Sequence, residues 1–234
     1  MPRDYPFVGG DDREQAVRAW LAAGAPSSGV EARPASTVLL VRDGVAGTGP
    51  EVVMLQRAAT MAFAASMHAF PGGGVDPTDA YADLPAPLVE RTAAAMQCSE
   101  LQARSHLAAA VREVAEETGI DLDPEALVPL SRWVTPVFDR RRFDTWVFAA
   151  ALPQGSVLRP STTEAVTMEW VRAAQMLAAF ERREVLMLPP TIHALEQLAQ
   201  AKDVATYLRT EADPRAVLPT LVQTPDGIRL RVST

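Results

Sequence analysis

Hydrophobic residues recur along this chain in two patterns, short apolar runs and longer stretches with one apolar face. The short runs are rich in branched and aromatic residues and are bounded by glycine, proline or charge, which is typical of buried strands. The longer stretches space their apolar residues three or four apart, which is typical of helices. Strands are predicted at about residues 35–41, 52–56, 128–134, 143–150 and 166–171. Helices are predicted at about residues 12–23, 88–96, 100–118, 173–181 and 190–201.

The end of the chain carries a hairpin signal. Two short apolar stretches, residues 220–223 and 228–232, flank the tripeptide Pro225-Asp226-Gly227. An Asp-Gly pair between such stretches is typical of a tight turn between antiparallel strands. With 234 residues, the chain is long enough for one domain with a full core, or for a domain with appendages.

The helix predicted at residues 100–118 has clear start and stop signals. Ser99 precedes it and Gln102 follows three residues later, a pair that is typical of a capping box. Gly119 lies where a left-handed residue would end the helix. One narrow stripe carries residues at helical spacing, namely Leu107, Val111, Val114 and Thr118. This stripe is expected to face the core.

The last turns of this helix also carry three glutamates on another face, Glu113, Glu116 and Glu117. These carboxylates repel one another and the partial negative charge of the helix C-terminus. A divalent cation offsets both effects, and magnesium takes one or a few carboxylates together with water and substrate phosphate. Arg112 is spaced to pair with Glu116, four residues later. The alternative interpretation is a solvated acidic helix face.

A glycine-rich turn is predicted upstream of this helix, within residues 69–76. Together the two segments resemble the Nudix hydrolases, whose sequence box reads G-x5-E-x7-R-E-U-x-E-E-x-G-U, with U aliphatic. The second half of the box is matched in full by Arg112, Glu113, Val114, Glu116, Glu117, Gly119 and Ile120. In the first half, counted from Gly73, Asp79 takes the glutamate position, and 32 residues instead of 7 separate it from Arg112. The box is therefore split by an insertion at about residues 80–104.

The resemblance implies an α/β (α+β) fold, the Nudix-type α/β/α sandwich with a mixed central sheet. The whole chain, residues 1–234, is expected to form a single domain of this kind. Three additions to the common fold are expected. They are the N-terminal helix at about residues 12–23, the insertion in the box, and the C-terminal helices and hairpin at about residues 173–234.

The resemblance also implies a reaction, the divalent-metal-dependent hydrolysis of a diphosphate bond in a nucleoside diphosphate linked to a group X. Arg112 belongs to the implied catalytic set, and Glu117 or Glu164 is expected to act as the base. Glu164 precedes a strand ending in Glu169-Trp170, and an ordinary loop carboxylate is the alternative there. The expected cofactor is Mg²⁺ or Mn²⁺, held by the backbone carbonyl of Gly72 and the side chains of Glu113, Glu116 and Glu117.

Four arginines are candidates for binding the phosphates of a substrate. Arg57 ends the strand predicted at residues 52–56, where Nudix proteins often carry a substrate-facing arginine. Arg140, Arg141 and Arg142 form a basic turn in an acidic protein. Guanidinium groups bind phosphates through paired hydrogen bonds. Ordinary surface charges are the alternative at both places.

Residues 131–136 and 141–145 are similar to one Nudix branch, which contains the peroxisomal acyl-coenzyme A diphosphatase and bacterial relatives with a long insertion in the box. The resemblance therefore implies that the substrate is coenzyme A or an acyl-coenzyme A. The alternative is a diphosphatase for ADP-ribose, a dinucleotide or another nucleotide derivative. A third hypothesis is that the protein is a catalytically silent Nudix module used for binding. The intact set of three glutamates argues against this hypothesis.

Composition and charge limit the classes of binding partner and the cellular compartment that we expect for this protein. A net charge of −7 argues against nucleic-acid binding but leaves a small anionic substrate open. The one cysteine, Cys98, cannot form an internal disulfide, which fits a reducing cytoplasm. No apolar run approaches the ~20 residues of a membrane span, and the first residues lack a signal-peptide core. We therefore expect a small-molecule substrate, and no binding to nucleic acid or membrane. The insertion is rich in alanine and could pack against a second subunit, so a homodimer is one of the expected alternatives.

Overall fold

The computed structural model describes residues 2–8, 11–26, 30–45, 48–58, 64–159, 165–225 and 227–233. The strands in these ranges are β1 (Arg3–Pro6), β2 (Arg33–Asp43), β3 (Pro50–Arg57), β4 (His68–Ala69), β5 (Gly72–Gly74), β6 (Val128–Val134), β7 (Phe143–Ala151), β8 (Ala165–Arg172), β9 (Asp213–Val217), β10 (Thr220–Thr224) and β11 (Gly227–Val232). The helices are α1 (Asp11–Ala22), α2 (Ala86–Met96), α3 (Glu100–Thr118), α4 (Ala173–Glu181), α5 (Pro189–Gln200) and α6 (Val204–Tyr207). Short 3₁₀ helices lie at Pro77–Tyr81 and Pro124–Ala126.

Eight of the described strands form one mixed sheet. The hydrogen-bonded order is β4-β3-β2-β7-β6-β9, with β5 also paired to β2 and β8 to β3. The central pair, β2 and β7, is parallel from Arg33↔Phe143 to Val41↔Ala151, and β6 is parallel to β9. A second sheet of three described strands has the order β1-β11-β10, so the first described strand of the chain pairs with the last.

The apolar run of β2 is buried on both faces of the sheet, which explains why it does not alternate with polar residues. Val38 and Leu40 belong to a core cluster with residues of α2 and α3. Leu39 and Val41 belong to the opposite cluster, with residues of α4, α5 and the three-stranded sheet. Helices therefore cover both faces, and the predicted α/β fold with a mixed sheet is confirmed. None of the described helices combines the length and the apolar character needed to cross a membrane.

The predicted helices and strands are confirmed, most of them within two residues at each end. The prediction of a turn at the glycines is wrong, because Gly72–Gly74 form β5 and pair antiparallel with β2. The sequence pattern also predicts neither β1 nor β9. Each of these short strands contains a proline and ionised residues, so the apolar alternation that marks a strand is absent.

Helix α3 begins and ends where its sequence signals indicate. The Ser99 hydroxyl accepts a hydrogen bond from the backbone N–H of Gln102, and the Gln102 side chain accepts one from the Ser99 N–H, which completes the capping box. Gly119 ends the helix in the left-handed conformation, with a φ of 68°. Leu107 and Val114 are fully buried under the sheet, so the predicted stripe faces the core.

A buried polar pair joins α3 to β2. His106 Nδ1 lies 3.0 Å from Ser36 Oγ, and the Ser36 hydroxyl donates a hydrogen bond to the His106 carbonyl at 2.9 Å. Because the hydroxyl hydrogen is used there, the imidazole Nδ1–H is the donor in the first contact. Burial lowers the pKa of His106 to about 4, although the nearby Asp144 carboxylate opposes this shift. The folded protein therefore holds this imidazole neutral near pH 7.

We expect the His106 imidazole to make the fold sensitive to mild acid. In the unfolded chain it binds a proton near its ordinary pKa of about 6.5, whereas in the folded protein it does so only near 4. Between these values unfolding takes up a proton, so stability falls as the pH is lowered, by on the order of 3 kcal/mol in total. The measurement is the free energy of unfolding against pH for wild type and His106→Gln. Parallel curves for the two proteins would show that His106 does not carry this dependence.

Candidate active site

The C-terminal turn of α3 lies directly against the glycine strand β5. Glu117 is only 5% exposed, and its carboxylate accepts a hydrogen bond of 2.9 Å from the backbone N–H of Gly72. Gly72 has a φ of +154°, and a Cβ there would lie 2.3 Å from the Ser36 carbonyl oxygen. A glycine is therefore required for β5 to lie this close to β2. This close packing places a carboxylate at the edge of the glycine strand.

Glu113 lies one turn earlier on α3, and its carboxylate packs against Gly73. A Cβ on Gly73 would lie 2.4 Å from Glu113 Oε1, so any larger residue would displace this carboxylate. The same oxygen accepts a hydrogen bond of 2.7 Å from Arg112 Nη1. A Cβ on Gly74, by contrast, would meet no atom within 4 Å. Gly73 is therefore needed to make room for the carboxylate, whereas Gly74 is not.

Arg112 connects α3 to the 3₁₀ helix at Pro77–Tyr81. Its guanidinium donates to both carboxylate oxygens of Asp79, at 3.3 and 3.0 Å, and to the Gly74 carbonyl at 2.9 Å. Asp79 is 6% exposed and also accepts a hydrogen bond from the Asp76 N–H. The hydrogen bond to Asp79, followed by that to Glu113, raises the pKa of Arg112 above its usual range. Asp79 is therefore held against α3, although 32 residues separate it from Arg112 in the sequence.

Glu116 is the most exposed of the three glutamates, with 55% of its side chain accessible. One carboxylate oxygen lies 3.6 Å from Arg112 Nη1, so the predicted pair at a spacing of four residues is present. The pair is longer than the contacts of the same guanidinium with Asp79 and Glu113. Glu116 is consequently the carboxylate of this helix end that is most open to solvent.

Glu113 and Glu116 line a cleft of about 430 Å³, together with the three glycines of β5. Arg57, at the end of β3, also lines it, so the structure brings one of the predicted phosphate ligands next to the carboxylates. The pairing of β3 with β8 shifts register between Gln56 and Arg57, an irregularity that re-aims a side chain. Arg57 Nε is buried and makes no hydrogen bond to any described group. Other walls come from Thr37, Phe70, Phe143 and Thr145, which no sequence signal indicates.

The basic turn lies elsewhere. Arg142 donates hydrogen bonds to the backbone carbonyls of Thr135 and Val30, at 3.0 and 2.7 Å, which ties the turn to the chain ahead of β2. Arg140 and Arg141 line a different cavity, beside α1. The structure therefore separates the arginine cluster from the carboxylate cleft. Glu164, the other candidate base, lies outside the described residues.

The glutamates do not form a preassembled cage. Across the described ranges, no group of three or more histidine, cysteine, aspartate or glutamate side chains is gathered closely enough to hold a metal ion. Magnesium does not need such a cage, because it commonly takes one or two carboxylates and completes its shell with water and substrate phosphates. Glu113 lines the cleft, and Glu117 lies beside it, hydrogen-bonded to the backbone of Gly72, so both place hard carboxylate oxygens at this end of α3. The residues present therefore fit a divalent cation of this kind.

Comparison with known proteins gives a family and a fold. A family model described as NUDIX domain matches residues 32–188. The phosphatase NudJ of Escherichia coli strain K12 is 33% identical over 79 residues, which are 34% of this chain and 50% of that protein. The chain thus spans about half the length of the curated relatives it matches. A solved NUDIX hydrolase from Alicyclobacillus acidocaldarius superposes with a TM-score of 0.67 at 24% identity, covering 79% of this chain and 99% of that one, and it shares the fold.

Proposed function

This protein belongs to the NUDIX domain family, whose model matches 32–188 of its 234 residues, and from that premise we propose that it hydrolyses a diphosphate bond in a nucleoside diphosphate linked to a group X. The observation that carries the proposal is the cleft at the end of α3. It combines carboxylates that suit a divalent cation with the Arg57 guanidinium, whose buried Nε–H makes no hydrogen bond to a described group. In a complex of a diphosphate with a divalent cation, the positive ion is complementary to the carboxylates and the negative phosphates are complementary to the guanidinium.

The proposed roles follow from where each side chain lies. Glu113, Glu116, Glu117 and the Gly72 carbonyl would hold Mg²⁺ or Mn²⁺, and members of this family generally use divalent ions. A bound ion of this type offsets the charge of the diphosphate and lowers the pKa of a coordinated water. Arg112 fixes the orientation of Glu113 through its hydrogen bond. Arg57 donates hydrogen bonds to a phosphate, and Glu117 or Glu164 takes the proton from the attacking water.

Coenzyme A or an acyl-coenzyme A is the proposed substrate. Support comes from the resemblance of residues 131–136 and 141–145 to the acyl-coenzyme A diphosphatase branch, and from two exposed arginines that suit a third phosphate. ADP-ribose, a dinucleotide or another nucleotide derivative is the second candidate, because the carboxylate cleft itself selects only a diphosphate. A silent binding module has weaker support, because the set of three mutually repelling glutamates is intact and suits a bound ion.

We further propose that residues 1–234 act as one domain in the cytoplasm on a small-molecule substrate, without nucleic acid or membrane. The pairing of β1 with β11 supports one domain, because it joins both ends of the chain. Tyr5 and Leu230 from these strands pack in the same core cluster as Leu39 of the central sheet. A homodimer is compatible with this proposal but is not required by it.

A substrate panel with Mg²⁺ or Mn²⁺ tests the proposed function. Hydrolysis of coenzyme A should release 4′-phosphopantetheine and adenosine 3′,5′-bisphosphate, whereas ADP-ribose should release AMP and ribose 5-phosphate. Turnover of ADP-ribose without turnover of coenzyme A would favour the second candidate. An absence of turnover on every diphosphate in the panel, in a protein that is folded and binds the ion, would leave only the binding module.

Binding of the cation should stabilise the fold. A ligand that binds only the folded state adds about 2.7 kcal/mol at a concentration one hundred times its Kd, so Tm should rise steadily as Mg²⁺ or Mn²⁺ is added. The rise should be absent in the double variant Glu113→Gln/Glu117→Gln, which keeps the shape of both side chains. A matched double variant on the exposed surface, Glu14→Gln/Glu125→Gln, should keep the rise. An equal rise in the first variant and wild type would place the ion elsewhere.

A further inference from the structure

Thr37 lies on β2, directly opposite Gly72 of the glycine strand β5. Its hydroxyl donates a hydrogen bond of 2.8 Å to the backbone carbonyl of Pro71, the residue before β5. The Phe70 carbonyl is farther away, at 3.4 Å, so the single hydroxyl proton goes to Pro71. The backbone N–H of Val38 also donates to the Pro71 carbonyl, at 2.8 Å. This carbonyl oxygen therefore accepts two hydrogen bonds from β2, one of them from a side chain.

The same peptide group is held from its other side by Glu117. In a planar trans peptide the carbonyl and the N–H point in opposite directions, and the N–H that shares a peptide group with the Pro71 carbonyl is that of Gly72. This N–H donates a hydrogen bond of 2.9 Å to Glu117 Oε2. One peptide group therefore links the Thr37 hydroxyl on β2 to a carboxylate on α3.

Close packing and burial make this link effective. A Cβ on Gly72 would lie 2.6 Å from Thr37 Cα and 2.8 Å from Thr37 Cβ, so a glycine is required for the two strands to approach this closely. Glu117 is 5% exposed, so its contact with the Gly72 N–H is shielded from bulk water. In such surroundings hydrogen bonds are stronger than in water, and bonds in a chain polarise one another. The bonds to the Pro71 carbonyl thus strengthen the N–H as a donor to the carboxylate.

We propose that Thr37 is a positioning residue for the cation site, because its hydroxyl fixes the peptide group between Pro71 and Gly72. Through this peptide group it orients two of the proposed ion ligands, the Glu117 carboxylate and the Gly72 carbonyl. Thr37 acts through the backbone and does not itself bind the ion. The inference rests on the proposed function for the role of these two ligands, and it adds a residue that no sequence signal indicates.

The affinity for Mn²⁺, measured by calorimetry on the full chain without substrate, tests the inference. Thr37→Val keeps the shape of the side chain and removes the hydroxyl, so it should weaken Mn²⁺ binding by about three- to tenfold, the range for the loss of one hydrogen bond. The Pro71 carbonyl keeps its bond from the Val38 N–H, so this variant leaves no buried acceptor unpaired and should fold. Thr37→Ser keeps the hydroxyl and should bind Mn²⁺ as wild type does.

Thr220→Val is the matched control for these variants. The Thr220 hydroxyl also lies on a strand and donates to a carbonyl of the neighbouring strand, that of Arg231, at 3.5 Å. This pair belongs to the three-stranded sheet, which contains none of the proposed ion ligands. Thr220→Val should therefore keep the wild-type affinity for Mn²⁺.

A second measurement needs neither ion nor substrate. The chemical shift of the Gly72 amide proton, measured by NMR on protein without metal, reports the strength of its hydrogen bond to Glu117, because a stronger bond moves the signal downfield. Thr37→Val should move this signal upfield, and Thr37→Ser should leave it in place. Glu117→Gln should also move it upfield, since a neutral oxygen accepts a weaker hydrogen bond than a carboxylate.

Several results would overturn the inference. One is a Thr37→Val variant with a lower Tm but with wild-type Mn²⁺ affinity and an unmoved Gly72 signal, because the hydroxyl would then be merely structural. Equal weakening in Thr37→Ser and Thr37→Val is another, because the shape of the side chain would then matter and not its hydroxyl. If wild type binds no Mn²⁺, the proposed ion site is refuted. The Gly72 signal of Thr37→Val then still decides the link to Glu117, which an upfield shift supports and an unmoved signal overturns.

Discussion

Replacing Glu117 by glutamine should lower kcat/KM on a diphosphate substrate by roughly 10²–10³-fold and leave the fold intact. An ion that stabilises charge in the transition state contributes several kcal/mol, and each ~1.4 kcal/mol corresponds to a factor of ten. The glutamine oxygen can still accept the hydrogen bond from the Gly72 N–H, so the contact between α3 and β5 is kept. Loss of one negative charge at the helix C-terminus should keep Tm unchanged or raise it slightly without metal.

Glu116, the exposed glutamate next to Glu117, provides a second test of the same site. Glu116→Gln should also remove most of the activity, and its Tm without metal should not fall, because Glu116 is 55% exposed. Glu100→Gln serves as the control, since Glu100 lies in the first turn of the same helix. Turnover and Tm are measured for all three variants. Near wild-type turnover in both Glu116→Gln and Glu117→Gln would show that the ion is not held by this helix.

The sequence predicts α3 to the residue because every signal on that helix is local. The capping box at Ser99, the left-handed Gly119 and the buried stripe depend on spacings within a few residues. The same locality explains why the sequence alone places Glu113, Glu116 and Glu117 at one end of one helix.

The parts of the site that depend on distant contacts could not be predicted in this way. Gly73 touches Glu113, forty residues later, and nothing in a run of three glycines distinguishes it from Gly74. Thr37 and Phe143 reach the cleft because β2 and β7 are parallel neighbours, a pairing that local patterns do not encode. Arg140 and Arg141 line a cavity with residues of α1 instead of the carboxylate cleft, and this tertiary contact is likewise not encoded in local patterns.

Replacing Arg112 by methionine should destabilise the protein by about 3 kcal/mol, even without metal. Breaking a fully buried ion pair costs about 3–5 kcal/mol, and the low end applies because the Arg112 side chain is 26% exposed. The loss arises mainly at Asp79, whose 6% exposed carboxylate would keep its charge and lose both contacts to the guanidinium. For a domain of this size the change corresponds to a fall in Tm on the order of 10 °C.

A double-mutant cycle with Asp79→Asn isolates the pair from the other contacts of Arg112. The asparagine oxygen can still accept the hydrogen bond from the Asp76 N–H, so Asp79→Asn alone chiefly removes charge. In the double variant no unpaired carboxylate is left buried, so the combined loss should be smaller than the sum by about 1–2 kcal/mol. Arg91→Met, which breaks an exposed pair with Glu125, should cost less than about 1 kcal/mol. Strict additivity in the Arg112 and Asp79 cycle, measured by denaturant unfolding, would mean that this contact does not couple α3 energetically to the 3₁₀ helix that carries Asp79.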